Sequence, residues 1–310
     1  MKIAFLNKYQ NKVSRGAETF VRELSIRLSK NHQVSVIANV NYLDLIRKRY
    51  DVIIPTNGRF QVILVRVIAW LTGAKMVVSG QSGMGWDDKV NLYCLPNAFA
   101  ALSKKALTWA REVAPRVKSL YIPNGVDLNK FKPKGRSYKI PFNKPVVLCG
   151  GAFTPQKRMD LSIKAVAKLP EVSLLMVGGG GQLRGELERY GEKILGKERF
   201  KLLSVPFAKM PDVYRSADVF TLPSRPSESF GNVLVEAMAT NLPIVATNDP
   251  VRSEIVGEAG ILIDPTDTDA YAKAIKKALS QNWGTGPRRQ AEKFSWDAIA
   301  RMYEDLFTKL

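Results

Sequence analysis

Two glutamates eight positions apart, Glu228 and Glu236, stand in the run Pro223-Ser-Arg-Pro-Ser-Glu-Ser-Phe-Gly-Asn-Val-Leu-Val-Glu-Ala-Met-Ala-Thr-Asn-Leu-Pro-Ile-Val-Ala-Thr247. The run reads as a buried strand over 218–222, a Pro- and Ser-rich loop over 224–229, a helix over 231–240 and a further strand at 244–246. Glu228 then lies on the loop ahead of the helix, and Glu236 a turn or more inside it. A helix that opens with Gly231-Asn232 turns backbone N–H groups and the positive end of its dipole toward a phosphate. Beside that phosphate, one carboxylate would accept from sugar hydroxyls and the other from a ribose diol. Glu236 falls within the apolar stretch 233–238, where an acid needs a partner, so two merely solvated charges are the weaker reading.

The elements that must position these groups alternate. Strands are expected at 2–6, 33–38, 51–54, 75–79, 97–101 and 118–122, then at 145–150, 172–178, 200–204, 218–222, 243–247 and 260–263. Amphipathic helices fall between them, as over 18–29, where Val21, Leu24 and Leu28 share a face. Strand–helix alternation at this spacing predicts an α/β protein with two doubly wound, Rossmann-like domains facing across a ligand cleft. The expected boundaries are a first domain at 1–128, a polar linker at 129–144, a second domain at 145–290, and a terminal helix at 291–310 that packs back toward the first.

At 310 residues the chain is long enough to bury one or two substantial cores. Its two cysteines, Cys94 and Cys149, suggest neither a disulfide framework nor a zinc site, which favours a reducing compartment. The longest apolar run, 62–73, contains Arg66 and is too short to span a bilayer. The opening Met1-Lys-Ile-Ala-Phe-Leu6 is too short for a signal peptide and reads as a first strand. Charge is uneven. Residues 1–145 carry 25 Lys and Arg against 8 Asp and Glu, a net +17 of the chain's +19. Such a bias fits an anionic partner, with an anionic membrane surface preferred, or else a solvated basic face. No aromatic platform or binding motif supports nucleic acid, which rests on charge alone.

The 223–247 run resembles the signature of the family 4 retaining glycosyltransferases, which have the GT-B fold: two glutamates separated by seven residues, Phe-Gly after the first, Glu-Ala-Met-Ala at the second. The resemblance covers nearly the whole chain. Ile122-Pro-Asn-Gly-Val-Asp127 is similar to the family's interdomain strand and turn. Gly150-Gly-Ala-Phe-Thr-Pro-Gln-Lys-Arg-Met-Asp160 resembles its phosphate loop, in which Lys157 would bind the donor diphosphate. Leu174-Leu-Met-Val-Gly-Gly-Gly-Gly181 is similar to the strand and glycine turn of the second domain, and Phe294-Ser-Trp-Asp297 to the start of the terminal helix. Val205-Pro206-Phe207 falls where the family has its base-binding wall.

The resemblance implies a retaining transfer from a UDP- or GDP-linked sugar to a glycan, lipid or other acceptor. No cofactor or metal is expected, because cationic side chains and a helix end stabilise the leaving diphosphate. The implied catalytic residues are Lys157 and Glu228. The implied donor contacts are Gly16, Arg158, Pro206, Ser229, Phe230, Gly231, Asn232, Val233 and Glu236. Acceptor-side candidates are Gln81, Asp87 and Asp88, on a glycine-rich loop, the two aspartates reading equally well as a turn or helix cap. From the cysteine usage and the basic first half, the expected setting is cytoplasmic, either free or peripheral on the inner face of the membrane.

Several positions depart from the family pattern. In Ser14-Arg-Gly-Ala-Glu18, Arg15 replaces one glycine of the usual pair. Ala152 stands where an arginine is common, and Arg158 would supply that charge or face solvent. Gln81 falls near the place of a common histidine, and Asn241 replaces a glycine before the Leu-Pro-Ile-Val strand. These departures motivate an alternative, a catalytically silent nucleotide-sugar-binding protein. Three features carry no site. The single histidine, His32, leads into the second strand. Gly178–181 lacks the spaced dinucleotide fingerprint. Asp267-Thr-Asp269 reads as a helix cap rather than a metal pair.

Overall fold

The computed structural model describes residues 1–10, 16–143 and 145–310. Its contacts divide it into two units, Met1–Gly125 with Phe294–Leu310, and Val126–Lys293.

The first unit alternates β1 (Lys2–Leu6), α1 (Gly16–Leu28), β2 (Gln33–Ile37), α2 (Tyr42–Lys48), β3 (Val52–Pro55), α3 (Arg59–Thr72), β4 (Lys75–Ser79), α4 (Trp86–Tyr93), β5 (Ala98–Ala101), α5 (Lys104–Val113) and β6 (Lys118–Tyr121). All six strands are parallel, in the order β2-β1-β3-β4-β5-β6. The strands are apolar runs because both sheet faces are covered. Ile3 and Phe5 face one helix layer, and Ala4 and Leu6 the other, as the two-residue period of a strand requires. The second layer is α2 to α5, packed through Leu45, Val62, Val65, Leu92 and Ala110.

The second unit runs β7 (Val146–Gly150), a 3-10 turn (Pro155–Lys157), α6 (Asp160–Ala167), β8 (Ser173–Val177), α7 (Arg184–Leu195), β9 (Phe200–Leu203), a 3-10 turn (Phe207–Lys209), α8 (Met210–Tyr214) and β10 (Val219–Leu222). It continues through α9 (Asn232–Ala239), β11 (Ile244–Thr247), α10 (Pro250–Val256), β12 (Gly260–Ile263), α11 (Thr268–Ser280) and α12 (Gly286–Glu292). Its parallel sheet has the order β12-β11-β10-β7-β8-β9. The last helix, α13 (Trp296–Phe307), belongs to the first unit. It lies beside α1 with Phe20 between Trp296 and Tyr303, ring centroids 6.3 and 5.8 Å apart. Asp297 pairs with Arg27, and Glu304 accepts from the Asn31 side-chain amide at 2.9 Å, so the approach to β2 is tied to this helix.

Every expected strand is present, with ends within one residue of expectation. The expected first boundary moves. Residues 126–143, read as a domain end and a linker, are fastened to the second unit. Arg288 donates to the carbonyls of Phe131 and Ala239 at 2.8 and 2.9 Å, Arg215 to those of Lys132 and Arg136, and the Phe131 ring meets Tyr214. Two arginines saturating backbone carbonyls hold as structure what composition alone marks as a polar connector. Asp267 caps α11 through the amides of Asp269 and Ala270, as expected. Asn241 takes the left-handed conformation at φ 72° that its position requires. Among the described residues no helix is long and apolar enough to cross a membrane.

Candidate functional site

Strand order locates the chemistry in the second unit. From β7 the chain steps outward to β8 and β9, then returns to β7's other side with β10. The crevice at the carboxyl ends of β7 and β10 is therefore a topological switch point, where open α/β sheets bind ligands. Two loops leave from it. The loop after β7 carries Lys157, and the loop after β10 carries Glu228. The Lys157 ammonium and the Glu228 carboxylate form an ion pair across the crevice, both side chains largely buried.

Each loop is held from behind. Gly178 and Gly181 let the turn after β8 lie directly on the β7 loop. A Cβ at Gly178 would meet the Gly151 carbonyl at 2.2 Å, and one at Gly181, whose φ is 131°, the Phe153 backbone at 2.4 Å. Phe153 N–H donates to the Gly180 carbonyl at 2.8 Å. The glycine run thus forms a floor for the lysine loop. The β10 loop is clamped by Arg252 of α10, which is fully buried. Its guanidinium donates to Asp249 Oδ2 at 2.6 Å, to Ser224 Oγ, and to the Arg225 carbonyl at 2.8 Å. Arg158 adds bonds to the carbonyls of Pro223 and Ser224 at 2.9 and 3.2 Å. Burial, and then Arg225, pull its guanidinium below the ordinary value. Arg158 therefore spends two donors on the loop, while Ala152 is exposed.

Past Glu228, Ser229 and buried Phe230 lead to Gly231, the N-cap of α9, at φ 89°. No side chain caps this helix, and Asn232 and Val233 form its first turn, its dipole end set beside the ion pair's loop. One turn further, Glu236 is buried and accepts from the Tyr214 hydroxyl at 2.8 Å. Burial, and then the charge of Glu236, raise the Tyr214 phenol well above its usual value, so it stays a donor. Pro206 is exposed after β9. Phe207 stacks toward Phe131 and carries the Lys130 ammonium 4.0 Å above its ring.

The family description "Glycosyl transferases group 1" matches residues 131–295, more than half of the chain. The chain belongs to the group 1 glycosyl transferases. The phosphatidyl-myo-inositol mannosyltransferase of Mycobacterium tuberculosis is 34% identical over 226 residues, 66% of this chain and 58% of that protein. The GDP-mannose-dependent alpha-(1-6)-phosphatidylinositol monomannoside mannosyltransferase of Mycolicibacterium smegmatis is 30% identical over 263 residues, 74% of this chain and 66% of that protein. The chain thus spans less than two thirds of the length of these relatives. Among solved structures, Anabaena HepE in complex with UDP and glucose aligns with a TM-score of 0.81 at 18% identity, covering 100% of both chains. A glycosyltransferase from Rickettsia africae aligns with a TM-score of 0.83 at 16% identity, over 99% of this chain and 98% of that one. At such identities the likeness concerns the fold, which is GT-B, with two Rossmann-like domains.

In the first unit of this glycosyl transferase, the acceptor-side candidates occupy the carboxyl end of β4. Gln81 and Asn124 exchange amide hydrogen bonds of 2.9 and 3.0 Å, and Gln81 also donates to Ser79. Asp87 and Asp88 lie in the first turn of α4, not on the preceding loop, because the helix begins at Trp86. Asp87 pairs with Arg59. Asp88 is buried, accepts from Asn91 at 3.0 Å, and leaves Oδ2 without a hydrogen-bond partner. Gly16 opens α1. The rest of the glycine turn, Ser14 and Arg15, lies outside the described residues. A 670 Å³ hollow lined by Lys2, Lys30, His32, Arg49 and Asp51 sits at the opposite, amino ends of β1 to β3. Among the described residues no group of three or more His, Cys, Asp or Glu could hold a metal ion.

Burial pushes the Asp88 carboxyl from its ordinary 3.8 up to about 7, against the opposing pull of Asn91. A raised folded value means that its contribution is fully present below the unfolded value and lost as pH rises through about 7. Asp88→Asn should therefore stabilise the protein at pH 8, by about 2–4 kcal/mol, and have little effect at pH 4. Denaturant titrations at both pH values check this. Equal effects at the two would show that Asp88 does not carry the pH dependence.

Sequence reasoning missed Arg252 and Tyr214. For Arg252 a signal existed, since Asp249-Pro-Val-Arg252 sets a capping acid three residues before a base. Nothing in the sequence links Tyr214 to Glu236.

Proposed function

We propose that the chain transfers a sugar from a UDP- or GDP-linked donor to a glycan or lipid-linked acceptor, with retention of anomeric configuration and without a metal ion. The observation that carries this reading is the Lys157–Glu228 pair across the β7/β10 switch point, next to the uncapped start of α9. The names of the relatives support it, one being a GDP-mannose-dependent mannosyltransferase, as does the neighbour in complex with UDP and glucose.

In the reaction the bond from the anomeric carbon to the diphosphate oxygen breaks, and negative charge gathers on the diphosphate. Lys157 and the positive end of α9 face that charge, and oriented donors of this kind stabilise a developing anion. The leaving phosphate takes the proton of the acceptor hydroxyl, whose oxygen bonds to the anomeric carbon on the face just vacated. On this route no carboxylate nucleophile is needed. Glu228 orients the donor sugar through its hydroxyls, and Glu236 holds the ribose diol. Residues 205–207 border the base.

A panel of UDP- and GDP-sugars, followed by nucleotide release and by NMR of the product anomer, tests this. The expected result is turnover with one donor, undiminished in excess EDTA, and a retained anomer. Activity that collapses with chelator and returns with magnesium or manganese would remove the metal-free mechanism. Donor binding without release would assign the chain to the silent alternative. Glu236→Ala should weaken nucleotide binding by about 1.5–3 kcal/mol, the worth of a charge-assisted hydrogen bond. Tyr214→Phe keeps the carboxylate and serves as control. Calorimetry giving the same loss for both would make Glu236 a structural partner of Tyr214.

A further inference from the structure

The solvent side of α3 lacks the composition of a solvent-facing helix. A surface helix normally buries one apolar stripe and turns polar residues outward. The 14-residue α3 buries Val62, Val65, Ile68 and Ala69, yet its outward half is apolar as well. Phe60 is 71% exposed, Val67 52%, Trp70 77% and Leu71 59%, with Ile63 between them. At 100° per residue these five side chains span about a third of the helix circumference without a break. No Asp or Glu occurs anywhere in α3. Neighbouring α4 adds exposed Trp86 and Tyr93.

The polar residues around this face are largely cations. Arg66 lies at its edge, Arg47 and Lys48 end α2, Lys89 stands 5.8 Å over the Tyr93 ring on α4, and Lys104 and Lys105 open α5. Of the nearby acids on α4, Asp87 is paired with Arg59 and Asp88 is buried. A band of Trp, Phe, Ile, Val and Leu flanked mainly by Lys and Arg is complementary to one kind of surface. That surface is apolar within and negative at its boundary.

We propose that the α3 face is a membrane-docking surface, embedding Phe60, Val67, Trp70 and Leu71 at the headgroup–acyl boundary of an anionic lipid bilayer. Helix α3 lies flat in the interface plane rather than crossing it, being about 21 Å long. The cations of α2, α4 and α5 add an attraction that salt weakens. The docking surface and the donor site lie in different units, so each stands or falls without the other.

Flotation of the purified protein with vesicles of equal parts phosphatidylcholine and phosphatidylglycerol tests the proposal. The expected result is binding that drops by more than about tenfold on pure phosphatidylcholine vesicles or in high salt. The variant Phe60→Ser/Val67→Ser/Trp70→Ser should lose binding by more than about tenfold, since each side chain withdrawn from the interface contributes most of a factor of ten. Its thermal unfolding and its binding of UDP or GDP should match the parent, since these side chains are exposed and belong to the other unit. No flotation of the parent with anionic vesicles, or undiminished flotation of the variant, would overturn the proposal. So would sedimentation velocity showing a concentration-dependent dimer that the triple substitution dissolves, which would assign the face to a second copy of this chain.

Discussion

Replacing Lys157 with alanine lowers kcat by about 10²- to 10³-fold, the usual cost of removing a donor aimed at developing charge. The donor KM changes much less. The asymmetry follows from where the charge forms. A diphosphate already carries charge in the ground state, but gains more as the glycosidic bond breaks, so a cation at its oxygens binds the transition state more tightly than the substrate. Lys157 is suited to this as a compact charge on a flexible stem, and the β7 loop delivers it to the switch point. Its partner Glu228 offers a check: Glu228→Gln removes the ion pair but leaves the ammonium in place, and should cost less in kcat than the loss of Lys157. The Arg158→Ala variant should behave differently again, because Arg158 holds the carbonyls of Pro223 and Ser224. Its main effect is expected in unfolding. Steady-state kinetics decide. An alanine variant at Lys157 with parental kcat and kcat/KM would make the β7 loop structural and displace the phosphate site from this crevice.

Arg252→Ala is expected to destabilise the second unit by about 3–5 kcal/mol, the range for breaking a buried charge pair from one side. Arg252 is fully buried, and its removal takes the ion-pair partner from Asp249 Oδ2 and frees the β10 loop at Ser224 and Arg225. Because that loop presents Glu228, kcat should fall even where the variant remains folded. Denaturant unfolding measures the first effect, and assays well below the unfolding midpoint the second. A variant with parental stability and turnover would show that Arg158 and the Thr247–Ser224 bond hold the loop unaided.

Strand positions were legible because parallel strands covered on both faces must be short apolar runs between turn residues, and such runs are visible one at a time. Asp267 was legible for a similar reason, since capping depends on a residue and its immediate neighbours. The strand order was not. The meeting of the β7 and β10 loops depends on pairing between segments some seventy residues apart, as between Val147 and Val219. For the same reason the sequence offered Lys157 and Glu228 as separate candidates without their contact. Asp87 and Asp88 were placed on a loop because Gly83 and Gly85 punctuate the stretch, whereas the helix starts immediately after them. Residues 126–143 looked like a connector because their charges resemble those of a solvated segment, and the arginines that fasten them come from distant helices.

The return of α13 to the first sheet has a consequence for how the chain is made. Phe20 and the surrounding face of that sheet are closed by Trp296, Ile299, Tyr303 and Phe307. During synthesis, residues 1–125 emerge with this apolar face uncovered, and it stays so while 126–293 are translated. The second unit, continuous in sequence, has all its strands on hand before the first can finish. The order of completion is thus the reverse of the order of emergence. The first sheet with one face still open is the species a ribosome-bound chaperone would meet, and losing residues 294–310 would injure the first unit rather than the second.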